Sequence, residues 1–176
     1  AGGEAPAITG GGHITSLVAM AFSVTTDTTH ATVNSGTISL GFTTATALAV
    51  GNRIVITVPY MYFSAADSTK AATFTMLGAA SMTTATCVFG AGSAAAGSTL
   101  TCTTQAAALP VGQYVMTFAA GAVTTGSSQP AGMFNVMTAT WGGVTIDAAA
   151  PAGGEAPAIT GGGHITSLVA MAFSVT

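Results

Sequence analysis

Bulky apolar residues alternate along most of this chain with small or hydroxyl-bearing ones. The period is two and not 3.6, which is the pattern of strands with one buried face. In Ile14–Val24 the even positions carry Ile14, Ser16, Val18, Met20, Phe22 and Val24. The odd positions carry Thr15, Leu17, Ala19, Ala21 and Ser23. The same alternation predicts strands over Thr37–Phe42, Arg53–Val58, Ala72–Met76, Gln113–Phe118, Met133–Trp141 and Val144–Ile146. Thr86–Phe89 and Thr99–Thr104 flank a Gly/Ala/Ser loop and read as a hairpin with its turn near Ala94–Ala95. Ser and Asp mark Asp67–Ala71 as a turn, and Ala106–Leu109 has room for a single helical turn. No stretch has the periodicity of a long amphipathic helix. About eight or nine short strands divided by turn residues predict an all-β fold, an antiparallel β-sandwich.

A repeat organises the chain. Ala1–Thr25 reads AGGEAPAITGGGHITSLVAMAFSVT, and Ala152–Thr176 is identical. The period from Ala1 to Ala152 is 151 residues, which is a whole domain per repeat and not one solenoid turn. Residues 1–151 therefore read as one complete unit, and 152–176 as the linker and first strand of the next. Pro151–Gly163, rich in Gly, Pro and Ala, is the expected linker. A second reading is a sandwich completed by an extended strand from a neighbour, with the terminal copy serving as that strand within one chain. Pro151 runs into Ala152 without a foreign segment, which favours a natural array. In both readings the strand Ile14–Val24 joins units. Its apolar face is Ile14, Val18, Met20, Phe22 and Val24, repeated as Ile165, Val169, Met171, Phe173 and Val175.

Composition narrows the function classes. Charged residues make up 4% of the chain, against ~25% in ordinary globular proteins. From Ala71 to Ile146 there is no Asp, Glu, Lys or Arg. Mean hydropathy is +0.66. Such a surface is expected to associate, since soluble domains normally surround themselves with charge. No apolar run reaches the ~20 residues of a membrane-spanning helix. Aromatic residues at 7% are sparse for the girdles of a transmembrane barrel. Arg53 and Lys70 are the only cations besides histidine, so no basic patch exists for nucleic acid. High hydrophobicity with low charge is the opposite of a disordered composition. The chain opens on AGGEAPAITGG without the pattern of a signal peptide and reads as an interior stretch.

One motif resembles a known family. Leu109-Pro110-Val111-Gly112-Gln113-Tyr114 is similar to the L-P-x-G-x-Y entry to the sixth strand of immunoglobulin-like and fibronectin-type-III-like domains. The resemblance implies that Tyr114 is a structural corner whose hydroxyl bonds to backbone upstream. Leu48-Ala49-Val50-Gly51-Asn52 resembles a strand entry of the same kind. Trp141 lies near the end of the unit and does not match the third-strand Trp of antibody domains. Cys87 and Cys102 are too close in sequence to match their inter-sheet cysteines. The resemblance is to Ig-like repeats of large cell-surface and adhesin-type proteins.

Candidate chemistry is sparse. Cys87 and Cys102 face each other if the hairpin forms, giving either a disulfide or two buried thiols. A bridge closing a loop of about 15 residues contributes roughly 3 kcal/mol in the chain-entropy model. His13, its copy His164, and His30 have no companions at metal-ligand spacing. Glu4, Asp27, Asp67 and Asp147 are scattered, without the pairing that acid/base catalysis needs. No serine sits in a nucleophile elbow, and Gly10-Gly11-Gly12 lacks the lysine of a phosphate loop. Lys70 with Asn34, Asn52 or Asn135 is the one conceivable isopeptide set. No asparagine stands in a glycosylation acceptor.

These features predict no enzyme, no cofactor and no metal. They predict a structural unit of an extracellular filament or cell-surface fibre whose partner is itself. The alternative is an adhesin-type binding module, with glycans as the second class of partner. Its loop Asp27–Gly36 and cluster Tyr60-Met61-Tyr62-Phe63 are the places for a ligand, and the cluster reads first as a cap on the end of the core.

Overall fold

The computed structural model describes residues 21–24, 36–64, 69–78, 82–149 and 154–159. Among these, ten strands form and no helix does. They are β1 (Ala21–Val24), β2 (Ile38–Thr44), β3 (Arg53–Val58), β4 (Thr69–Met76) and β5 (Met82–Ser93). They continue with β6 (Gly97–Thr104), β7 (Gly112–Phe118), β8 (Gly132–Ala139), β9 (Thr145–Asp147) and β10 (Gly154–Ala156). The all-β expectation holds.

All ten belong to one sheet, in the order β10-β1-β2-β7-β4-β5-β6-β3-β8-β9. Every pairing is antiparallel except that of β1 with β10. The sheet curls like a half-barrel, and β10 pairs with β8 as well as β1, so it touches both flanks.

Alternation gives the curled sheet one buried face. Ile54, Ile56 and Val58 of β3, Leu100 and Cys102 of β6, and Tyr114, Met116 and Phe118 of β7 all turn inward and are buried. They meet Ile38, Leu40 and Phe42 of β2, Phe74 of β4, and Phe134 and Val136 of β8 in one core. Each fully buried residue of this size contributes roughly 1.5–3 kcal/mol. The aromatics interlock: Phe42 meets Phe74 edge-on at 6.2 Å, and Phe63 meets Phe89 edge-on at 5.4 Å.

Three local expectations differ from the structure. Thr69–Ala71 opens β4 and is not a turn, because its backbone pairs with Thr86–Val88 of β5. Ala106–Leu109 makes no helical turn, because Leu109 exchanges backbone hydrogen bonds of 2.8 Å with Leu48. The expected linker Pro151–Gly163 contains β10 and a further bridge at Ile159.

Candidate assembly site

The sequence feature that most needs a structural role is the repeat, and the described part of its second copy is residues 154–159, Gly-Glu-Ala-Pro-Ala-Ile. This segment sits in a seat built by the first unit. Gly154, Glu155 and Ala156 pair antiparallel with Phe134, Met133 and Gly132. On the other side Glu155 pairs parallel with Ala21 of β1. Ala156 and Ile159 are buried and belong to the unit's core. Ile159 and Gln129 exchange backbone hydrogen bonds of 2.9 Å, and the Ser128 hydroxyl donates to the Ile159 carbonyl at 3.0 Å. From below, the Tyr62 hydroxyl donates to the Pro157 carbonyl at 2.8 Å.

Tyr62 reaches that carbonyl because its own loop is fixed. Its backbone N–H donates to Pro59 and its carbonyl accepts from Gly126. Gly126 is required there, since a Cβ would overlap the Met61 carbonyl. Gly132 has a similar reason: a Cβ would lie 2.6 Å from Pro59 Cγ, at the place where β8 receives Ala156. Burial pushes the Tyr62 hydroxyl well above the ordinary phenol range. Its ring stacks edge-on against Phe63 at 5.2 Å, and Phe63 continues the contact to Phe89 and the core. The Tyr60–Phe63 cluster is therefore divided. Tyr62 and Phe63 are buried, while Tyr60 and Met61 are exposed. The exposed pair borders a shallow cleft with Val58, Phe89 and Ser98.

Of the strand Ile14–Val24, the structure describes the backbone of Ala21–Val24, so Phe22 and Val24 lie on β1. Ile14, Val18 and Met20 lie outside the described residues, as do Ile165, Val169, Met171, Phe173 and Val175. His13, His30, His164, Glu4, Asp27, Asn34 and Asp67 lie outside them too. Lys70 stands on β4 and Asn135 on β8, with β5, β6 and β3 between those strands in the sheet.

Cys87 and Cys102 are directly opposed on β5 and β6 and are joined as a disulfide, both fully buried. A bulge between Gly90 and Ser93 shifts the hairpin register by one residue. Without it, Cys87 would oppose Thr103. Met116 Sδ lies 3.7 Å from Cys102 Sγ, so the bridge is packed into the core.

Tyr114 is buried on β7, and its hydroxyl donates to the Pro110 carbonyl at 2.7 Å. β7 lies between β2 and β4. The two strand entries meet each other, since Leu48 and Leu109 form the bridge between them. Burial raises the Tyr114 hydroxyl as well.

Sequence reasoning missed two residues. Asp147 is fully buried, and its Oδ2 accepts from the amides of Ala45 and Thr46 at 3.1 Å each. It ties the end of β2 to β9, and a lone acid carries no pattern that would announce this. Tyr62 belongs to the cluster that reads as a cap on the core, and its seat role depends on Pro157, far along the chain. Among the described residues no group of three or more His, Cys, Asp or Glu gathers to hold a metal. No helix there is long and apolar enough to cross a membrane. No family model, no curated protein and no solved structure matches the chain.

Proposed function

We propose that this chain is the structural repeat unit of an extracellular filament or cell-surface fibre, with itself as partner. One observation carries the reading: the opening of the second copy is built into the first unit's sheet and core. An ordinary linker would leave both units complete without it. The low charge supports the reading, because faces poor in charge tolerate burial against copies of themselves. A heterologous contact that repeats without closing generates an open fibre. The buried disulfide is in keeping with an oxidising compartment, hence the cell surface or beyond.

The strand order favours an Ig-like sandwich as the finer description. β1-β2-β7-β4 corresponds to one sheet of such a fold and β3-β8-β9 to the other, with the β5–β6 hairpin bridging them. In that correspondence β7 takes the place of the fifth strand and not the sixth.

Negative-stain electron microscopy of the native material, before and after boiling in detergent, tests the function. Long uniform filaments are expected, and dispersed single beads would contradict it.

A second reading is an adhesin-type module that presents a ligand site. It is favoured by Met61, which holds φ +57° beside the shallow cleft. Strained non-glycine backbone of this kind collects at ligand sites. A glycan-binding screen separates the two readings.

A further inference from the structure

The seat is specific about what it takes. Ala156 is fully buried opposite Gly132 and packs into the core, so a charged side chain there would lose its hydration. Ile159, two residues past Pro157, reaches the core and is 1% exposed. Pro157 has no N–H to leave unpaired, and its carbonyl is taken by Tyr62. Glu155 faces outward and is the segment's only charge. This is a short, sequence-specific strand addition, in which backbone pairing supplies affinity and two side-chain pockets supply selectivity.

Residues 154–159 repeat Gly3–Ile8 letter for letter. The chain thus carries two copies of one hexapeptide, while the described residues contain one seat, filled by the second copy. We infer that Gly3–Ile8 is the donor segment of the assembly, filling the seat between β1 and β8 of a second copy of the unit. The inference deepens the fibre reading and rests on it for its biological setting. It also moves the joint. The strand Ile14–Val24 ends as β1, paired with β2 of its own unit, whereas the hexapeptide ahead of it belongs to the core of the unit before. The folded unit accordingly takes in Gly154–Ile159, beyond Pro151.

The test uses the full chain. Ala156→Asp with Ile159→Asp expels the second-copy hexapeptide and leaves Gly3–Ile8 intact. Size-exclusion chromatography is expected to show a head-to-tail ladder for this variant, absent from the parent chain at the same concentration. Adding Ala5→Asp and Ile8→Asp is expected to abolish the ladder. The fourfold variant is then expected to bind a synthetic peptide of the Gly3–Ile8 sequence about tenfold or more tighter than a scrambled one, a step readily resolved by titration. Where the variant does not fold alone, the same peptide is expected to restore its β-sheet circular dichroism and the scrambled one is not. A variant that forms no ladder and neither binds the peptide nor is restored by it overturns the inference. The fibre reading fails separately: peptide binding without native filaments sinks the fibre and leaves the seat, and filaments without peptide binding do the reverse.

Discussion

Gln129 and Ile159 exchange both backbone hydrogen bonds, at 2.9 Å each, although Ile159 belongs to the second copy of the repeat. That pair makes the unit's core depend on a residue from beyond its own period. Large-to-small changes at such a site remove transfer energy and leave a cavity. Ile159→Ala is expected to destabilise the unit by about 2–5 kcal/mol. The same change at Ile8, in the first copy, is expected to leave the stability of a dilute single chain unaltered. Urea denaturation of the two variants at low protein concentration measures this asymmetry.

Tyr62 makes the seat sensitive to alkali. Burial raises its phenol above the ordinary value of about 10, and Tyr114 shifts in the same direction. The folded state therefore holds protons that the unfolded chain releases first. Stability is fully present below about pH 10 and falls as pH rises beyond it. Tyr62→Phe loses the hydrogen bond to Pro157, about 0.5–1.5 kcal/mol at neutral pH. Its stability is also expected to decline less steeply between about pH 10 and 12 than that of the parent chain, because one raised phenol is gone. Thermal midpoints across that range read both effects.

Removing the bridge with Cys87→Ala and Cys102→Ala is expected to lower stability by about 2–4 kcal/mol, as for typical disulfides. The parent chain should lose a comparable amount on reduction, and the double variant should be indifferent to reductant. Denaturation with and without dithiothreitol gives both numbers.

Asp147 anchors the turn after β2 through two backbone amides. Asp147→Ala leaves those amides without their acceptor, and a cost of about 1–3 kcal/mol is expected. Asp147→Asn keeps one oxygen acceptor and is expected to cost less. Chemical denaturation of the pair establishes the order.

Trp141 is the one tryptophan of the chain and is 65% exposed, with the Arg53 guanidinium 4.3 Å from its ring centre. Its fluorescence is expected at the wavelength of hydrated indole and should shift little on unfolding. Trp141→Ala is expected to cost about 0.5–1 kcal/mol, the scale of an exposed cation–π contact.

Much of the fold was legible because alternation is a local signal. Arg53–Val58 is predicted residue for residue, and its alternation puts Ile54, Ile56 and Val58 together on the buried face. β5 runs well past Thr86–Phe89, and Thr83, Ala91 and Gly92 offer no bulky alternation that would predict it. At Met82–Ala85 pairing with β4, and not propensity, holds the backbone extended, while Gly92 turns to φ +63° in the bulge. The opposition of Cys87 and Cys102 follows from the hairpin, and the bulge that fixes it falls at Gly92, whose φ of +63° favours glycine. β10 was illegible for a different reason. Gly, Glu and Ala have little preference for strands, and Pro and Gly around them read as linker. The segment becomes a strand because β8 and β1 both offer it an edge, which is a property of the folded unit.

The most direct measurement is a main-chain trace of the native assembly by cryo-electron microscopy. The account predicts six residues of Gly-Glu-Ala-Pro-Ala-Ile between β1 and β8 of every unit, running on into β1 of the next. Units whose β1–β8 seat is empty, or filled by another segment, would contradict it.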